Sequence, residues 1–282
     1  MNLIDSPELI RSKVFQIFRQ LLSEVSSVGC KALSGAEIEA LSSCCSVFAC
    51  AFSGSAEEAA AQNMLCQIWE EGERRVSGGE LTAEAMYTVL AMYHVAYSTE
   101  VSSAYGSFAE KCDRMASSMT VEFCKGGAGL AEEAAAVMLA SNLYCYALPE
   151  DMEDDAVVGY CREKIEVWNS AAANLPEKFA SSQQEMSVMQ CLLAAEYAGF
   201  IGGGLRPVLP APAQLSTTEG LSTLCRIIAH RMDDAEALLN AVCALEDRLT
   251  SGFQGCCAAA SLVEALCALH AVSEERLVLN CA

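Results

Sequence analysis

The stretch "GFQGCCAAASLVEALCALH" (residues 252–270) holds two closely spaced glycines, adjacent cysteines, a third cysteine and a terminal histidine. Those residue types suit a metal or thiol site, and they equally suit a helix buried on every side. The order of residues favours the helix. After Gly255 the run is Ala, Leu, Val and Cys, and Glu264 is the one acidic residue before His270. A helix apolar on all faces belongs in an interior. A bilayer is the rival interior, but Glu264 near its centre would cost about 2.5 to 3.5 kcal/mol. The flanks are also acidic where a span wants Lys and Arg, so no membrane is expected as a partner.

Working outward, the same kind of helix recurs. Apolar, small-residue helices are predicted over 35–53, 82–98, 130–147, 184–200, 217–231 and 256–271. Charged amphipathic helices alternate with them over 6–28, 55–76, 100–123, 150–173 and 233–250. In the first of these, Leu9, Ile10, Val14, Ile17, Phe18, Leu21, Leu22 and Val25 follow helical spacing, while Arg11, Lys13, Arg19 and Glu24 take the other face. The apolar helix carrying Arg226, His230 and Arg231 fits the division least well.

Helix starts are marked by capping pairs: Ser34 with Glu37, Ser55 with Glu58, Ser182 with Glu185, Ser216 with Glu219, and the related Asp233 with Glu236. Pro7 after Ser6 occupies a first helical position, where its missing N–H is harmless. The apolar helices begin about one helical hairpin apart, except that "GGGLRPVLPAPAQL" (202–215) replaces one outer helix. Its three glycines and three prolines forbid a continuous helix. The expectation is an all-α chain of about six degenerate hairpins, one domain over 1–282 with an irregular Gly/Pro-rich loop at 202–215.

Composition agrees. Hydrophobic residues make up 53% of the 282 and mean hydropathy is +0.27, enough for a large core, while aromatics at 7% are sparse for a sheet protein. The formal charge of −20 repels phosphate backbones and anionic headgroups, so nucleic acid is not an expected partner. A basic protein or peptide fits that charge. "MNLIDSPELIRSKVF" carries Asp5 and Glu8 where a secretory signal needs a basic and then an apolar stretch, so a cytoplasmic, reducing setting with free thiols is expected.

"GGAGLAEEAAAVMLASNL" (126–143) and "GFQGCCAAASLVEALCAL" (252–269) each place G-x-x-G ahead of a small-residue apolar helix. This resembles the inner helices of lanthionine synthetase C-like proteins, which are α/α toroids. "LAMYHVAYSTEVSSAYGSFAEKCDRM" (90–115) is similar to the hairpins of toroidal glycoside hydrolases. The resemblance implies a toroid in preference to an open α-solenoid, with the glycines admitting close helix approach. It does not extend to the chemistry. The zinc-holding Cys-His pair of the cyclases is missing, since His94, His230 and His270 follow Tyr, Ala and Leu. The two tryptophans, Trp69 and Trp168, fall on outer helices, which leaves a sugar-binding bowl without its platforms.

Among individual residues, the 16 cysteines are dispersed without a C-x-x-C, so they read as small buried hydrophobes; no metal site and no cofactor is implied. Cys256 and Cys257 are the reactive-thiol candidates, because a helix start can lower a thiol pKa. His94 with Tyr93 and Tyr97 on an apolar helix is the pocket candidate, and His230 and His270 are expected to end helices. The run Glu150, Asp151, Glu153, Asp154 and Asp155 lacks EF-hand spacing and reads as a solvated helix start. No catalytic set can be assembled. Two functions stay open: a non-catalytic helical scaffold that binds another protein through an acidic or concave surface, or an α/α-toroid enzyme or small-molecule binder with a central pocket.

Overall fold

The computed structural model describes residues 6–77, 82–98, 106–123, 129–145, 155–249 and 255–280. Among these the chain is all-α, with eleven α-helices and no strand. The helices are α1 (Pro7–Val28), α2 (Gly35–Ala51), α3 (Ala56–Val76), α4 (Ala83–Ser98), α5 (Gly106–Phe123), α6 (Leu130–Tyr144), α7 (Ala156–Ala172), α8 (Ser182–Tyr197), α9 (Thr218–Arg231), α10 (Ala235–Leu249) and α11 (Cys256–Asn280).

Two kinds of helix alternate. α1 buries Ile10, Val14, Phe18, Leu21 and Val25, one stripe at helical spacing, and leaves its charges outside. α3, α5, α7 and α10 flank the core in the same way. By contrast α2 buries ten residues of nearly every face, α6 eight in succession and α9 nine. Neighbours in the core run α2 with α4, α4 with α6, α6 with α8, α8 with α9, α9 with α11, and α11 with α2. α1 packs on α11, α3 between α2 and α4, α5 between α4 and α6, α7 between α6 and α8, and α10 between α9 and α11. At the meeting of chain start and chain end, Phe18 stacks on Phe48 with ring centroids 3.8 Å apart, and Phe52 meets the edge of His270.

Local signals were mostly placed as the residues suggest. Ser34 and Glu37 form a full capping box, and Pro7 opens α1. Ser55 caps α3 while Glu58 reaches back to the Gly54 N–H. Elsewhere the caps are shifted by one. Ser181 caps α8 and Thr217 caps α9, while the Asp234 carboxylate accepts from the Ala237 N–H at the start of α10. Glu185 is released from local capping. It is fully buried and accepts from the N–H and hydroxyl of both Ser216 and Thr217, so α8 clamps the start of α9. The clamp holds the two core helices together where the intervening outer helix is missing. Residues 202–215 contain only a short 3₁₀ turn, Pro212–Gln214, and are tied down by Arg231, which donates to the Pro207 carbonyl.

Two expectations need correcting, on His270 and on the glycine before α11. α11 continues to Asn280, so His270 is a buried mid-helix residue and not a helix end. The glycine before α11 does not serve close packing: Gly255 has φ of +108° and nothing within 4 Å of its missing Cβ, so it serves the turn. Of the acidic run at 150–155, residues 150–154 lie outside the described residues, while Asp155 caps α7 by accepting from Val157 and Val158 N–H. α11 is long and apolar enough to cross a membrane by composition, and 78% of that stretch is buried within the protein.

Candidate functional site

Each core helix is apolar, yet several carry a single charged or polar side chain pointed inward. Glu39 of α2, Arg226 of α9 and Glu264 of α11 are all buried, and they meet. The Arg226 guanidinium donates two hydrogen bonds to Glu39, 3.1 Å to Oε2 and 2.8 Å to Oε1, a fork-on-carboxylate pairing that fixes both planes. Its Nε stands 3.8 Å from Glu264 Oε2, close enough for attraction and too far for a hydrogen bond. His94 of α4 adds its Nε2 at 3.3 Å from Glu39 Oε1. Tyr197 of α8 stands beside Arg226, and Ser43 of α2 beside Glu264.

The two carboxyls are driven apart. Burial pushes Glu39 up, but Arg226 and His94 outweigh it and hold the group at about 2. Burial also pushes Glu264 up, and Arg226, already engaged with Glu39, does not bring it back; it stays above its ordinary value. One guanidinium therefore serves two buried carboxyls unequally. Two atoms of this cluster, Glu264 Oε1 and Arg226 Nε, have no hydrogen-bond partner among the described residues.

The cluster separates two cavities. One, of about 90 Å³, is lined by residues of the core helices, including Ala36, Tyr87, Gln190, Glu219 and Cys257, together with Glu39 and Arg226. The other, of about 430 Å³, is lined mostly by α2, α9 and α11: Val47, Cys50, Ala229, Cys267 and Ala268 form apolar walls beside Arg226 and Glu264. Its rim carries His230, whose ring meets the edge of Tyr197 at 4.5 Å, and Met232, whose φ of 53° is the one positive value among the described non-glycine residues. Met232 is the left-handed cap that ends α9, its N–H donating to the Ile228 carbonyl. Below the rim Glu196 is buried, accepts two hydrogen bonds from Arg231, and lies 3.7 Å from His230 Nδ1.

The residues singled out from sequence are distributed differently. His94 reaches the cluster. Tyr93 does not: its hydroxyl donates to Asp113 of α5, on the outer side of α4. The side chain of Tyr97 lies outside the described residues. Cys256 and Cys257 are half-buried at the start of α11, Cys257 beside the smaller cavity, and burial pushes both thiols up, Cys257 to about 12. The described cysteines are all free; most are buried, whereas Cys50, Cys66, Cys145 and Cys243 are exposed. No group of three or more His, Cys, Asp or Glu is placed to hold a metal among the described residues.

Sequence reasoning passed over Glu39, Arg226, Glu264 and Tyr197. The signal was present in the charges set among apolar residues in "GAEIEALSSCC", "LSTLCRIIAH" and "AASLVEALCAL". A charge inside an otherwise apolar helix has to find a partner, and the partner of Arg226 lies 187 residues away. Neither protein families, nor curated proteins, nor solved structures give a match to this chain.

Proposed function

We propose that the chain closes into an α/α toroid and binds a small, largely apolar molecule in the cavity at the carboxyl ends of its core helices. Closure is supported by the contacts that α11 makes with α1 and α2, because an open solenoid keeps its first and last repeats apart. The binding reading is carried by one observation. A cavity of about 430 Å³ with apolar walls ends on Glu264 and Arg226, each with a buried polar atom that no described protein group satisfies. Cavities of this size with a few converging polar groups are what small-molecule sites look like, and buried polar atoms are seldom left unpaired.

A pair of carboxyls held one low and one high is also what acid–base catalysis employs, so the reading takes in a divergent enzyme acting on the bound molecule. The scaffold reading rests on the net charge of −20, and its signature would be salt-sensitive association with a basic protein. The test of the pocket is a small-molecule screen by thermal stabilisation of the wild type and of Ala268→Phe, which fills the cavity. Compounds that stabilise the wild type and lose their effect in the variant are the expected result. Hits that survive the variant, or none at all, would remove the pocket reading.

A further inference from the structure

Resting on that pocket reading, we propose that the occupant is an apolar amine, its hydrocarbon or aromatic body lying between α2, α9 and α11 and its ammonium pairing with the Glu264 carboxylate. The argument starts from unequal sharing of charge. Arg226 gives both terminal nitrogens to Glu39. It approaches Glu264 only through Nε at 3.8 Å. His94 stands on the Glu39 side of the cluster, at 3.3 Å from that carboxylate. Glu264 is 5% exposed, and its Oε1 has no hydrogen-bond partner among the described residues. A buried carboxylate with a half-share in a counter-ion calls for a cation.

The surroundings fit a cation with an apolar body. The walls are Val47, Ala229, Cys267 and Ala268, and the Tyr197 and His230 rings, perpendicular to each other, complete the lining. The net charge of −20 raises the local concentration of small cations and depletes anions. A carboxylate ligand could accept from the unpartnered Arg226 Nε, but it would then lie against the Glu264 carboxyl 3.8 Å away and be repelled by it. An alcohol could donate to Oε1 but would leave the charge uncompensated.

Binding is coupled to a proton. Glu264 faces Glu39, Ser43, Cys44 and Cys45 of α2, His94 of α4, Tyr197 of α8, Arg226 of α9, and Cys267 on its own helix. The buried stripes of α1 and α10 that pack on α11 are apolar. Burial, then Glu39, hold Glu264 above the ordinary carboxylate range against Arg226, Ser43 and His94. An ammonium ion entering the pocket exchanges with the proton on Glu264: the protonated carboxyl and the ammonium become an ion pair, and one H⁺ leaves to solvent. Affinity for the amine therefore rises with pH through the titration of Glu264.

The experiment is calorimetric titration of the full chain with phenylbutylamine, phenylbutanol and phenylbutyrate, one skeleton with three heads. It is run on the wild type, Glu264→Gln and Ala268→Phe. The amine should bind the wild type at least about tenfold more tightly than the alcohol, the size of a charge-assisted hydrogen bond, and the acid should not bind. Glu264→Gln should erase the amine's advantage and its pH dependence while the alcohol keeps its affinity. Tighter binding of alcohol or acid to the wild type, lost in Ala268→Phe, would overturn the amine while leaving the pocket standing. Binding by none of the three, or binding indifferent to Ala268→Phe, would overturn both. The comparison of heads on the wild type needs no variant to fold.

Discussion

At the scale of single residues, the buried ion pair is the most informative feature. Arg226 and Glu39 are both nearly inaccessible to water, and such pairs add little net stability because desolvation offsets their attraction. Breaking one is another matter. Arg226→Met leaves Glu39 buried with only His94 for company and should lower stability by about 3 to 5 kcal/mol, whereas Arg226→Met with Glu39→Met should recover most of that loss. Chemical denaturation of the three variants measures the coupling. Glu264 gives the opposite pH signature to Glu39. Its pKa is raised from 4.5, so the fold holds that proton more tightly than the unfolded chain does. The resulting stability is complete below the ordinary value and drains away as pH rises through the raised one. Glu264→Gln lacks this drain, so its melting temperature relative to the wild type should increase as pH rises above the ordinary carboxylate value. Glu39 works the other way: held at about 2 against 4.5, it contributes above 4.5 and loses its contribution as pH falls towards 2. These residues were the least legible from sequence. Glu264 was visible as the charge interrupting an apolar run and Arg226 as an oddity of its helix, but the pairing of positions 39, 226 and 264 exists only once the helices are assembled.

At the scale of helices, the sequence was read well, because period and capping are local. Every α-helix among the described residues overlaps an expected one, and the Gly/Pro stretch at 202–215 falls where no α-helix forms. What failed was whatever one helix does for another. Glu185 looked like the third residue of a capping box for its own helix, and it caps the next core helix instead. That junction admits a sharp test. A Cβ on Gly220 would stand 2.2 Å from Glu185 Oε1, so the carboxylate must leave the backbone and hydroxyls of Ser216 and Thr217. Gly220→Ala should cost about 1 to 3 kcal/mol despite alanine's better helix propensity. Hydrogen exchange should show the loss concentrated at the start of α9, and an unchanged or raised melting temperature would contradict the clamp.

At the scale of the whole molecule, α11 packs on both α1 and α2, and closure into a toroid, expected from a resemblance carried by two glycine-bearing stretches, stands as the proposed arrangement. A closed 282-residue chain should have a radius of gyration of about 19 Å in X-ray scattering, and a markedly larger value for a monomer would favour the open solenoid. The seam has a consequence in time. Phe18 and Phe48 leave the ribosome well before α11, which packs on the helices that carry them. At about 5 to 20 residues per second, the 187 residues between Glu39 and Arg226 imply a delay of roughly 10 to 40 s. Through that interval the nascent chain must keep a wide apolar surface and a lone buried-to-be carboxylate from engaging anything else. The contacts of α11 with α1 and α2 form only once α11 has emerged, so synthesis is the stage at which these surfaces most need a chaperone.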